Sequence, residues 1–274
     1  MVRKQTSRGR RSLARLADKY DCYQRSVQEP DAEIRVVERV FARERGRPAR
    51  SLREDFCGTA QMACAWAARH RENTAIGVDL DPECLRWGHR HNVRALDPEA
   101  QSRVKLLEGN VLDVGHEPVD VVLAFNFSWF ILQERADLLR YLRGARASLK
   151  RDGLLFLDCY GGPEAQQVTT VRRRCTGFTY VWEQRAFDPI GHRGSNSIHF
   201  EFRDGSSLRD AFRYDWRLWS LPEVRDLLAE AGFARSDVLW EDTCRTTGEG
   251  NDVFRKRRRA DAAIAWVAYV VARP

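Results

Sequence analysis

The chain has 274 residues, 43% of them hydrophobic and 31% charged, a composition that excludes disordered and collagen-like chains. Its longest nearly unbroken apolar run, Ala262 to Ala272, has 11 residues, well short of the roughly 20 that a membrane-spanning helix needs. The formal charge of +7 is concentrated in two places: residues 1–16 hold six basic side chains and no acid, and Arg255-Lys256-Arg257-Arg258-Arg259 adds five, so the rest of the chain carries 35 basic against 39 acidic groups. This distribution argues against a broad nucleic-acid-binding face. It reads instead as a basic, disordered leader over 1–16 and a basic late loop. Seven cysteines, an odd number with no Cys-x-x-Cys pair and no secretory signal ahead of them, point to a reducing, cytoplasmic compartment.

After the leader, Ala17-Asp18-Lys19-Tyr20-Asp21-Cys22-Tyr23 begins an amphipathic helical stretch. From about residue 50 to 160 short apolar runs alternate with helical segments, which predicts βαβ units and a parallel sheet, with strands at 51–55, 75–79, 104–108, 119–125 and 153–159. The alanine-rich stretch from Ala60 to His70 is the first crossover helix. Asp81 and Pro82 are an N-cap and first helical residue for the second, and a third runs from Glu134 to Lys150 before Asp152-Gly153 turns into the fifth strand.

Beyond Gly161-Gly162-Pro163 the period changes to two: Phe178, Tyr180 and Trp182 alternate, as do Ile198, Phe200 and Phe202, then Phe212, Tyr214 and Trp216, with a hairpin signal at Asp204-Gly205. This pattern predicts a three-stranded antiparallel meander with one aromatic face. Ser220-Leu221-Pro222-Glu223 is a capping box for a helix ending at Gly232, and strands at 236–241 and 264–271 close the sheet. The expected fold is α/β, a doubly wound, mostly parallel seven-stranded sheet with an inserted antiparallel β lid. Its divisions are 1–16, 17–162, the lid at 163–219 and the last part of the sheet at 220–274.

The segment Leu52-Arg53-Glu54-Asp55-Phe56-Cys57-Gly58-Thr59-Ala60 carries the chemistry. A strand runs into a tight turn and a helix, and Asp79 ends the next strand 21 residues after Gly58. A small residue in such a turn lets backbone approach a ligand, and an acid about 20 residues on can accept from ribose hydroxyls. A nucleoside-containing cofactor is implied.

These residues resemble the class I S-adenosylmethionine-dependent methyltransferases, motif by motif over residues 50–160 and more loosely to 272. Glu54 matches the acid ending the first strand, and Cys57-Gly58-Thr59 matches the glycine-rich turn, with Phe56 and Ala60 where the family has two further glycines. Ile76-Gly77-Val78-Asp79-Leu80-Asp81 is similar to the second-strand motif whose acid binds the ribose. Gly109-Asn110-Val111 falls at the adenine-contacting position. Asp120 to Asn126 resembles the fourth strand, whose end faces the methyl group, and Leu149 to Asp158 the helix-turn-strand that follows. The resemblance implies S-adenosylmethionine as cofactor and cofactor contacts from Glu54, Phe56, Cys57, Gly58, Thr59, Asp79, Leu80, Asn110, Val111 and Asn126, with Tyr20 or Tyr23 on the preceding helix reaching the methionine moiety; no His/Cys/carboxylate cluster has ligand spacing, so no metal is implied.

Asn126-Phe127-Ser128-Trp129 is similar, in its first and last residues, to the Asn-Pro-Pro-aromatic motif of amino-group methyltransferases, which makes Asn126 the candidate catalytic residue. Both prolines are missing, so a packing role for this segment stays open. His199 and Glu183 could act as bases, though a lone strand histidine is more often structural. The lid and the acidic body favour a small-molecule acceptor. An RNA or protein substrate engaged by the basic arm, and a non-catalytic cofactor-binding protein, are the alternatives. Oligomeric state is not legible.

Overall fold

The computed structural model describes residues 11–115, 117–243 and 250–274. Residues 1–10 of the basic leader and Cys244 lie outside them. Three helices come first: α1 (Leu13–Leu16), α2 (Lys19–Val27) and α3 (Pro30–Arg45). Asp18 caps α2 by accepting from the Tyr20 and Asp21 amides, and Gly46, at φ 68°, ends α3 in the left-handed conformation open to glycine. Part of the segment expected as leader is helical. Residues 13–16 form a helical turn because the Leu13 N–H donates to Asp204 and the Ala14 N–H to Ser206, both on the lid.

The parallel half follows as β1 (Ser51–Asp55), α4 (Gln61–Arg69), β2 (Thr74–Asp79), α5 (Pro82–His91), α6 (Pro98–Gln101), β3 (Val104–Glu108), β4 (Val119–Ala124), α7 (Arg135–Ala147) and β5 (Leu149–Gly161). The lid comprises β6 (Thr169–Cys175), β7 (Phe178–Asp188), β8 (Arg193–Glu201) and β9 (Ser207–Arg217). The chain ends with α8 (Leu221–Glu230), β10 (Arg235–Thr243), β11 (Gly250–Arg257) and β12 (Trp266–Arg273).

The large sheet has the order β11-β10-β12-β5-β4-β1-β2-β3. The five strands from β5 to β3 are parallel, and β12, β10 and β11 pair antiparallel in succession. Every residue of β4 is buried, as a central parallel strand covered on both faces requires. Ile34 and Phe41 of α3 and Trp66 of α4 pack on Leu52, Val121 and Leu123. On the opposite face, Leu138 and Leu142 of α7 and Leu227 of α8 pack on Val122, Leu155 and Val270.

Two expectations are corrected. The sheet has eight strands, not seven, because part of the basic run expected as a loop is the edge strand β11. Arg255 and Arg257 pair with Asp242, and Lys256 with Asp237, all on β10. The lid has four strands, in the order β6-β7-β8-β9, where three were expected.

Asp120 ties the base of the sheet together. Its buried carboxylate accepts from Arg47 at 2.9 Å, Lys150 at 3.1 Å and the amides of Arg50 and Ser51 at 2.7 and 3.0 Å. Burial works to raise its pKa, but those four donors outweigh it and hold the carboxyl well below the usual range. A carboxylate depressed on folding stabilises the protein fully above its unfolded pKa of about 3.9 and loses that contribution as pH falls further. Denaturant titrations at successive pH values should therefore show the native protein weakening below about pH 4, with Asp120→Asn less stable at neutrality and its acid limb flatter. An unchanged acid limb would remove Asp120 from this role.

Candidate active site

The loop leaving β1 keeps a glycine-rich backbone with one glycine. Phe56, Gly58 and Ala60 all lie in the left-handed region, at φ 57°, 53° and 57°. For a residue with a Cβ this costs about 1–2 kcal/mol. The Ala60 N–H bonds Cys57 O, and Cys57 N–H bonds Val78 O on β2, so neighbouring structure holds the strained turn. Phe56 turns its ring to Tyr141 on α7, 5.8 Å between centroids. A Cβ built on Gly58 would meet only Cys84 Sγ, at 3.7 Å, so the space before this turn is open.

Asp79, at the end of β2, accepts the Gly58 N–H at 2.7 Å through one oxygen and the Asp81 N–H at 2.9 Å through the other. Each carboxylate oxygen keeps a further acceptor site. Burial pushes this carboxyl above its usual value against the pull of those amides. Leu80 beside it is 68% exposed, an apolar side chain with an uncovered face. Glu54, buried near the end of β1, accepts the Ala63 N–H at 2.9 Å and so satisfies a donor of the α4 N-terminus. Asn110 turns its Oδ1 back to the Leu112 N–H at 3.0 Å, shaping the loop in which Val111 is buried.

Several supports were not read from the sequence. Gln24 on α2 donates to Thr59 Oγ1 at 2.6 Å, and Asn92 donates to Thr59 O at 2.8 Å. Gly88 on α5 lies so near this loop that a Cβ there would stand 2.2 Å from Thr59 O. Arg53 is fully buried beside Asp55 and donates to the carbonyls of Val111 and Val114. These residues sit at ordinary helix or strand positions, with no spacing that distinguishes them.

On the acceptor side, β4 ends in two successive left-handed residues, Asn126 and Phe127, at φ 58° and 57°. Asp158, at the end of β5, accepts the Phe127 N–H at 3.0 Å and is bonded by the Asn126 amide as well. Trp129 is buried with its Nε1 on Asp158 O. Asn126, Phe127 and Asp158 line a cavity of about 700 Å³ bounded by α2, α3, the ends of β4 and β5, and the lid. From the lid come Tyr180, Trp182, Tyr214 and Trp216, while Phe178 and Phe200 of the same aromatic face pack against α2 instead.

The structure separates the two tyrosines. Tyr23 lines the cavity and hydrogen-bonds Tyr214. Tyr20 packs between Trp87 and Phe212, its hydroxyl buried without a partner. His199 is structural: Nδ1 accepts the Asp210 N–H at 2.7 Å, leaving the proton on Nε2 to bond Glu183 at 2.8 Å. Among the described residues no group of three or more His, Cys, Asp or Glu side chains could hold a metal.

Residues 55–157 match the family model described as a methyltransferase domain. The chain carries a methyltransferase domain. No curated protein matches the methyltransferase by sequence. Among solved structures it is similar to an S-adenosylmethionine-dependent methyltransferase from Clostridium acetobutylicum, with TM-score 0.65, 14% identity, and 92% of this chain and 96% of that one covered. It is also similar to the sugar N-methyltransferase KedS8 from a Streptoalloteichus species, with TM-score 0.62, 21% identity and coverage of 100% and 99%. For CalS10, an amino pentose methyltransferase from Micromonospora echinaspora, the values are 0.64, 17%, 97% and 100%. At these identities the likeness establishes the fold.

The loop of the methyltransferase fits its cofactor. The open face over Gly58, the free acceptor sites of Asp79 and the bare face of Leu80 are compatible with a nucleoside. No helix among the described residues is long and apolar enough to cross a membrane.

Proposed function

We propose that this enzyme methylates a small-molecule acceptor enclosed between the sheet and the lid. The cavity of about 700 Å³ at the end of β4 and β5 carries this reading, since it has the size of small-ligand sites and a mostly aromatic wall with few polar groups. When bound, S-adenosylmethionine supplies an electrophilic methyl group on a sulfonium. Asp79 would hold the ribose, Leu80 and Val111 the adenine edge, and the turn at Gly58 the backbone approach, with Glu54 fixing α4 beneath.

The chain's own part in the reaction is positioning and exclusion of water. Asn126 projects a neutral amide at the mouth of the cavity, whose oxygen can orient an acceptor N–H or O–H. Sugar and amino pentose substrates among the structural neighbours support a small acceptor. The ion pairing of Arg255, Lys256 and Arg257 favours it over RNA. The retained left-handed turn at Phe56 and Ala60 removes the reason for a non-catalytic reading.

Screening acceptors by release of S-adenosylhomocysteine tests the proposal, with Asn126→Gly as the variant because glycine keeps the backbone conformation. At saturating cofactor its turnover should fall about tenfold, the worth of one orienting hydrogen bond. Full turnover in that variant ends the role assigned to Asn126.

A further inference from the structure

The cavity has a composition opposite to that of the chain around it. The protein carries 46 Lys and Arg, yet among the described residues the wall holds Glu29, Glu33, Asp158, Glu164 and Glu241 and not one Lys, Arg or His. Carboxylates gathered in one cavity repel one another, and a cation among them relieves that repulsion. The faces of Tyr180, Trp182, Tyr214 and Trp216 line the same space, and aromatic faces also attract cations. A neutral acceptor has no such complement, and an anionic one is repelled.

Two of the carboxylates differ in kind. Asp158 is oriented by the amides of Phe127 and Asn126; burial raises its carboxyl against their pull, and a cation beside it favours the ionised form that anchors it. Glu33 reaches the cavity from α3 without such a hold. Glu29, one turn earlier, acts on it, and its own charge reaches Asp158 on β5, Glu54 on β1 and the Tyr23 hydroxyl on α2. Burial, with Glu29 beside it, pushes its carboxyl up to about 7. A carboxylate poised there exchanges protons readily at neutral pH.

We propose that the acceptor is a protonated amine, held by Asp158 and Glu33, and that Glu33 takes its proton. This rests on the methyltransferase reading and names its substrate class. One N–H bond of the ammonium breaks, its electron pair stays on nitrogen, and the proton forms an O–H bond on the Glu33 carboxylate. The freed lone pair is what an electrophilic methyl group requires, and an ammonium lacks it.

The test uses the full chain saturated with S-adenosylhomocysteine, with binding read from the fluorescence of Trp182 and Trp216. The probes are benzylamine, benzyltrimethylammonium and the neutral benzyl alcohol. Both cations should bind about tenfold or more tighter than the alcohol, the worth of a charge-assisted contact. Glu33→Gln should shrink that gap by about tenfold and leave the affinities for the alcohol and for S-adenosylhomocysteine unchanged, which also shows the variant to be folded.

Benzyltrimethylammonium cannot titrate, so a rise in its affinity between about pH 6 and 8 reports ionisation of the protein's carboxylates. Glu33→Gln should lack that rise. Equal binding of alcohol and cations, or a Glu33→Gln variant that keeps both gap and rise, overturns the proposal. The wild-type ratio decides the substrate class by itself. Absence of S-adenosylhomocysteine binding would instead sink the methyltransferase reading, and cation selectivity measured without it separates the two failures.

Discussion

Replacing Asp79 by alanine is expected to weaken S-adenosylmethionine binding by about 100-fold, because hydrogen bonds from ribose hydroxyls to a charged acceptor contribute about 1.5–3 kcal/mol each. The loss has a second component. Asp79 also accepts the Gly58 and Asp81 amides at 2.7 and 2.9 Å, so the substitution frees the one glycine of a turn that already holds Phe56 and Ala60 in left-handed conformations. Asp79→Asn separates the two components. Its amide oxygen can still accept from Gly58, but it carries no charge toward the ribose, and a loss of about tenfold is expected. Calorimetric titration of the three proteins, with far-ultraviolet circular dichroism to establish folding, measures both. Wild-type affinity in a folded Asp79→Ala protein would mean that the cofactor lies elsewhere.

The sequence carried the parallel half of the fold almost residue by residue, since β1, β2, β3 and β4 lie within a residue of their expected spans, and the N-cap at Asp81 and the capping box at Ser220 form as read. These elements are bounded by local chemistry: caps, turns and buried apolar runs. The two strands that escaped, β6 and β11, are both edge strands of Thr-Thr-Val-Arg-Arg-Arg-Cys and Gly-Asn-Asp-Val-Phe-Arg-Lys-Arg. An edge strand has one free side, and positive charge there discourages pairing with other chains. The charge that protects such a strand hides it from a search for apolar alternation.

The candidate site was legible where backbone geometry is written locally, at Gly58 and Asp79. It was illegible where function depends on which distant side chains meet. Glu33 is one acid on a charged helix, and only the fold brings it to the cavity with Asp158. The aromatic stripe is one face, as read, but alternation does not say that along it Phe178 and Phe200 pack on α2 while Trp182 and Trp216 line the cavity.

The buried pair in β1 sets the largest expected loss of stability. Arg53 and Asp55 stand on one side of the strand, with side chains 2% and 0% exposed and Nε 2.5 Å from the carboxylate. Asp55 also accepts the Tyr141 hydroxyl at 3.0 Å, and Arg53 donates to Ser148 Oγ at 3.0 Å and to the carbonyls of Val111 and Val114. Arg53→Met keeps the apolar stem and leaves Asp55 without its cation, which should destabilise the protein by about 3–5 kcal/mol.

Two readouts distinguish this pair from simple packing. Adding Asp55→Leu to Arg53→Met should recover part of the loss, because no unpaired charge then remains buried, whereas lost packing alone would make the double variant worse. Arg53→Met should also weaken S-adenosylmethionine binding in protein that is still folded, since the Val111–Val114 loop at the adenine end loses two donors, and the double variant should not recover that binding. Chemical denaturation and calorimetry on the single and double variants would decide it. A destabilisation under about 1 kcal/mol for Arg53→Met would mean that water or a neighbouring cation reaches Asp55, and that three charged residues in a central strand are held by something other than this pair.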